Sequence, residues 1–109
     1  MSAEQPKQAV KLDDGKPPLS LMSRVWLWEV GEVLGHGAKK YAAHNWRLGL
    51  KQSRLLDAAL RHITAYMDGE DLDPESGRSH LAHASCCLMF AFEMSKTHPQ
   101  LDDRYRVSP

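Results

Sequence analysis

Glu29 and Glu32 stand three residues apart in the segment "WEVGEVLGHG". On a helix that spacing projects both carboxylates from one side, with Val25 and His36 along the same stripe. Two carboxylates one turn apart suit a hard divalent cation, Mg²⁺ or Mn²⁺, which takes several oxygen ligands and leaves room for water and phosphate oxygens. A solvated helix face is the alternative. Against it stands the position of Glu29 between Trp28 and Val30, where its surroundings are hard to keep in water.

His80 and His83 repeat the one-turn spacing where an apolar segment begins, and Asp73 and Glu75 lie in the turn before it, "GEDLDPESG". Imidazoles so placed are candidates for metal ligands, phosphate contacts when protonated, or groups that orient carboxylates. Satisfied core histidines are the competing reading. Asp71, Asp73 and Glu75 also suit the positive end of a helix dipole without any ligand.

A basic aromatic stretch, "KKYAAHNWRLGLK", offers Lys39, Lys40 and Arg47 to neutralise phosphates, and Asn45 and Trp46 to bond and stack on a base. Arg61 and His62 add a guanidinium and an imidazole from a second helix, unless Arg61 pairs with Asp57 or Asp68. Lys16 lies in "KLDDGKPP", which has no phosphate-loop glycine pattern and reads as a flap over a ligand. There is no nucleophile elbow, no C-x-x-C and no G-x-G-x-x-G, so acyl transfer, zinc fingers and dinucleotide binding have no support.

A chain of 109 residues holds one core that a partner subunit would help to complete. Fourteen Lys and Arg balance fourteen Asp and Glu, so nothing in the overall charge calls for nucleic acid or a membrane surface as a partner. Cys86 and Cys87, adjacent in an apolar run, read as buried hydrophobes in a reducing compartment. With no signal-like apolar stretch, and a longest apolar run, "CCLMFAF", far short of the roughly 20 residues of a membrane span, the cytoplasm is the expected location.

The elements that must position these groups are helices. Residues 1–18, broken by Gly15, Pro17 and Pro18, read as an extended arm; 19–100 as a helical domain; 101–109 as a flexible tail. Ser20 is the expected cap of a first helix carrying Met22, Val25, Trp26, Leu27, Val30, Val33 and Leu34, weakened at its end by Gly35 and Gly37. A second, capped by Ser53, should bury Leu55, Leu56, Ala59, Leu60, Ile63 and Met67 and stop near Gly69. A third, nearly apolar from Leu81 to Phe92 and ending before Pro99, belongs in the middle of a bundle. With no repeat and no β-alternation, the expected fold class is an all-α helical bundle.

Four segments taken together, "KLDDGKPPLSL", "EVGEVLGHGAKKYAAHNWR", "AALRHITAYMDGEDLDPESG" and "HLAHASCCLMF", resemble the phage and bacterial dATP/dGTP diphosphohydrolase family, related to the all-α MazG-like nucleoside triphosphate pyrophosphatases. The resemblance implies an oligomeric, Mg²⁺- or Mn²⁺-dependent enzyme, a homodimer or homotetramer. Such an enzyme cleaves a deoxynucleoside triphosphate, dGTP or dATP, to the monophosphate and pyrophosphate in the cytoplasm of a bacterium or phage-infected cell. It also implies catalytic parts for Glu29, Glu32, Glu75, His80 and His83, with Glu29, Glu32, Asp73, Glu75 and His80 near the metal. Lys16, Lys39, Lys40, Asn45, Trp46, Arg47, Arg61 and His62 would then serve the substrate. The MazG-like second motif, E-x-x-D, is met literally by Glu70 to Asp73 but falls in the turn, whereas the third helix carries His80-x-x-His83.

Overall fold

Ser23, rather than Ser20, starts the first long helix of the computed structural model, which describes residues 7–107. The Ser23 side chain accepts the Trp26 N–H at 3.1 Å, closing one of the open donors at the helix start. Ser20 is used up in a 3-10 turn, Leu19–Leu21, and Met22 after it is extended, so no helix can begin before Ser23. Residues 1–6 of the expected arm and 108–109 of the expected tail lie outside the described residues.

Helix α1 (Arg24–Lys40) runs through Gly35 and Gly37, beyond the weakening expected there, and ends with Lys39 and Lys40 in its last turn. Cations at that end meet the negative pole of the helix dipole. Helix α2 (Gln52–Met67) has Lys51 as its cap position, and Ser53 sits inside it. The Ser53 N–H and hydroxyl donate instead to the Asp103 carboxylate, at 2.8 and 2.5 Å, which ties the chain after the third helix onto the start of the second. Helix α3 (His80–Thr97) is capped by Ser79, whose side chain accepts the Leu81 N–H. Among the described residues there is no strand, only a single antiparallel bridge between Leu72 and Ser79, so the chain is all-α as expected.

Helix α3 packs against both α1 and α2. Towards α1 its Ala82 and Cys86 bury with Val30 and Val33; towards the start of α2 its Ala91 and Met94 bury with Leu55. Phe90 packs against both clusters and joins them. Small residues at 82, 86 and 91 let the helix backbones approach closely, near enough for the Cys86 thiol to point at the Val30 carbonyl at 3.7 Å. Burial pushes that thiol up to about 12, so Cys86 stays protonated and acts as a small apolar residue, with no disulfide to Cys87. Gln52 is buried at the other end, its amide donating to the Ala91 carbonyl at 2.7 Å.

The apolar surface is only half used. On α2, Leu55 and Ala59 are buried and Leu56 and Ile63 half-buried, but Leu60 and Met67, expected inside, face solvent because α2 has one helix to pack on and its buried stripe is narrow. On α3, Leu88, Met89 and Phe92 are exposed, Phe92 by 69%. The radius of gyration is 19.7 Å, against about 13 Å for a closed globule of this length.

Met94, only 1% exposed, is the best-buried large side chain. Met94→Ala should therefore lower unfolding free energy by about 2–5 kcal/mol, measured by urea denaturation followed by far-UV circular dichroism.

Candidate functional site

The connection from α2 to α3 is a closed turn that delivers charge to both neighbouring helices. Asp68 ends α2 and Gly69 follows with φ +98°, a conformation that glycine adopts without strain. Asp73 then folds the turn: its Oδ1 accepts the N–H groups of Glu75 and Ser76 at 2.7 and 3.2 Å, and its backbone N–H and carbonyl pair with Arg78 and Gly77. Gly77, at φ +72°, completes the reversal.

The candidate acidic residues fall into three neighbouring groups. In the first, the Arg78 guanidinium spans both α1 carboxylates, 3.2 Å from Glu32 Oε2 and 3.7 Å from Glu29 Oε2. Glu29 Oε1 also accepts the Ser79 N–H at 3.2 Å, which places its charge at the positive pole of α3. This all-oxygen pair, already sharing one cation, fits a hard divalent ion by its donor set. In the second group Glu75 reaches across to the end of α1, 2.5 Å from Lys40 Nζ and 3.8 Å from His36 Nε2. The Lys40 hydrogen bond holds the Glu75 carboxyl below its usual range and raises the Lys40 ammonium.

The third group lies between α2 and α3. His80 is 4% exposed, with its Nε2 2.6 Å from Glu70 and its Nδ1 2.8 Å from His62 Nδ1. Asp73 Oδ2 stands 3.8 Å from His62, and His83 stacks on His62 with centroids 4.5 Å apart while contacting Ser76 Oγ at 2.6 Å. Burial lowers the basicity of both His62 and His83, which nearby Asp73 only partly offsets. Burial also pushes the Asp73 carboxyl up, but the N–H groups of Glu75 and Ser76 outweigh it, and Asp73 ends below its usual range.

The basic aromatic stretch is placed elsewhere. Trp46 stacks on Phe90 at 4.5 Å, and Arg47 lies over the Trp46 ring and pairs with Glu93. Ten residues of α3 separate Phe90 from His80, about 15 Å of helix rise. Asn45 opens the 3-10 turn Asn45–Leu48. Arg61 is exposed, and among the described residues it pairs with neither Asp57 nor Asp68. Lys16 is exposed in the turn begun at Asp13.

An open groove of about 700 Å³ runs along α1 beside the first group. Glu32 and Lys39 line it together with Arg24, Trp28, His36 and Arg78, which sequence reasoning did not assign to a site. A signal for them exists in the spacing: positions 24, 28, 31, 32, 35, 36 and 39 form one helical stripe. On that stripe Gly31 and Gly35 carry no side chain, and open space lies beyond each. Arg78 had no periodic signal, because the turn alone aims it.

The fold and these groups define a class: an all-α domain whose inter-helix turn brings Ser76 and Arg78 to a groove on its first helix and sets a separate carboxylate–imidazole cluster between the other two helices. The chain belongs to the dATP/dGTP diphosphohydrolase, N-terminal family, whose model matches residues 6–104. It is 45% identical over 95 residues to a protein of Salmonella phage PMBT28 named dATP/dGTP diphosphohydrolase, a match covering 87% of this chain and 32% of that relative. The chain thus spans about a third of the length of that relative. No solved structure gives a significant match.

The lowered basicity of His62 and His83 has a consequence for stability. Below the ordinary histidine value of 6.5 the unfolded chain takes up protons before the folded one does. The urea midpoint should therefore fall as pH is lowered through 6.5 and level off once both folded imidazoles are charged. NMR titration of the histidine Cε1 protons gives the folded values directly.

Proposed function

We propose that the chain is a metal-dependent deoxynucleoside triphosphate pyrophosphohydrolase that converts dGTP or dATP to the monophosphate and pyrophosphate. The observation that carries this reading is the α1 groove, where Glu32, joined to Glu29 through Arg78, stands beside several cations and an exposed aromatic ring. Family membership and the name of the phage relative support the same substrate class.

In this reading Glu29 and Glu32 hold Mg²⁺ or Mn²⁺, the oxygen-seeking ions that two carboxylates suit. Bound there, such an ion would polarise the α-phosphate and offset its charge. The protein's own groups do the rest. Arg78, released from the carboxylates, joins Arg24 and Lys39 in neutralising the phosphates, the leaving pyrophosphate included. Glu32 takes the proton of the water that attacks the α-phosphorus, as the bond to the bridging oxygen breaks and pyrophosphate departs in line. Glu75 holds Lys40 and His36 together at the end of α1, where His36 and Lys39 line the groove and would meet the outer phosphates. Trp28, 73% exposed, offers the face on which the base stacks, and Trp46 keeps a packing role against Phe90.

The unpacked apolar faces support a homodimer or homotetramer, since Leu19, Leu21, Val25 and Leu27 near the start of α1 join Leu88, Met89 and Phe92 of α3 in facing solvent. None of the helices described is long and apolar enough to cross a membrane, which agrees with action in the cytoplasm of a bacterial or phage-infected cell.

Purified protein with Mg²⁺ or Mn²⁺ should release pyrophosphate from dGTP or dATP, read by ion-exchange chromatography of the products. Glu29→Gln should cut kcat at least about 100-fold with helix content unchanged. If neither metal supports turnover of any member of a full deoxynucleoside and ribonucleoside triphosphate panel, the reading is lost. Trp28→Ala should raise KM about 10-fold with little change in kcat, as expected for loss of a stacking surface.

A further inference from the structure

Three side chains outside the α1 groove converge as a ligand set. One atom from each of His62, Asp73 and His80 lies within 4.8 Å of the others, and they come from α2, the turn and the buried start of α3. We propose that these residues form a second metal site that takes a first-row divalent transition-metal ion and is separate from the carboxylate pair of α1.

His80 gives its Nε2–H to Glu70 at 2.6 Å, which leaves Nδ1 as the lone-pair nitrogen facing His62. A carboxylate behind a ligating imidazole fixes its tautomer and strengthens it as a donor. Asp73 spends Oδ1 on the N–H groups of Glu75 and Ser76, so Oδ2 is the oxygen left towards His62. The ring of His62 is held flat against His83, 12° from parallel, and Ser76 Oγ anchors His83 through its Nε2. Each of the ligands is therefore oriented by a group that is not itself a ligand.

The chemistry selects the ion. Two imidazoles and one carboxylate suit zinc, cobalt, iron or manganese, whereas Mg²⁺ prefers an all-oxygen shell and keeps its waters. Ligand nitrogens around a tetrahedral ion at about 2.0–2.1 Å lie about 3.3 Å apart, so a slight opening of the His62–His80 contact admits the metal in place of the shared proton. Open positions then remain for water. The site draws nothing from Glu29, Glu32 or Arg78, so its fate is independent of the pyrophosphohydrolase reading.

Cobalt titration of the metal-free protein tests this. With excess Mg²⁺ present throughout to fill the α1 carboxylate pair, one equivalent of Co²⁺ should bind with visible ligand-field absorption, and a further large excess of Mg²⁺ should not displace it. Glu70→Gln should weaken binding about 10–100-fold by loosening His80, and His62→Ala and Asp73→Asn should weaken it more. Glu32→Gln should leave it unchanged. Helix content by circular dichroism accompanies each variant, and Asp73→Asn carries the comparison if His62→Ala does not fold. Absence of a stoichiometric Co²⁺ complex would overturn the proposal. So would an affinity unaltered in His62→Ala and Asp73→Asn, displacement by Mg²⁺, or equal loss in Glu32→Gln.

Discussion

Asp73 accepts two backbone N–H groups from the residues that follow it, and from that one closure the rest of the charged architecture takes its direction. With the turn closed, the next residues have fixed exits. Glu75 leaves towards the end of α1, Arg78 towards Glu29 and Glu32, and His80 enters the space between α3 and α2. A flexible connection of the same composition would leave these groups in water, each paying its own entropy to be positioned. The Leu72–Ser79 bridge and the glycine at 77 make the closure geometrically exact enough to aim both ends at once.

Helix α3 is the mechanical counterpart of that turn. Its apolar length packs against both other helices, so its first residue is fixed relative to each. Ser79 caps it and also hands its own N–H to Glu29, which ties the helix start to α1 by a charge-assisted bond. The buried ring of His80 does the same towards α2. Packing at the far end, where Met94, Leu55 and Trp46 meet, thus steadies groups more than a dozen residues away.

Much of the fold could be read from the residues alone, because helical periodicity and caps are local. The α3 run, the stop at Gly69 and the all-α class needed nothing beyond neighbouring side chains. Ser20 and Ser23 were indistinguishable by type, and only the 3-10 turn after Pro17 and Pro18 decides between them. Leu60 and Met67 fit the inward period, yet burial depends on how many helices α2 meets, which no local pattern contains. The acidic and imidazole candidates could be named from the residues, but the way the fold groups them could not. Glu29 and Glu32 share a helix, so spacing sufficed; Arg78, His36 and Trp28 join the groove through tertiary placement. Trp46 and Arg47 read as ligand contacts by residue type, and the structure shows Trp46 packed on Phe90 and Arg47 paired with Glu93, since a stacking surface and a packing surface have the same composition.

The bare stripe on α1 has a consequence of its own. Gly31 and Gly35 each cost the helix about 1 kcal/mol relative to alanine, and both adjoin the groove with empty space above them. Alanine at either position would firm the helix while adding a methyl group to the floor of the groove. Helix strength and groove capacity are thereby set against each other at the same two positions, and the volume of the groove changes one methyl at a time without disturbing the core behind it.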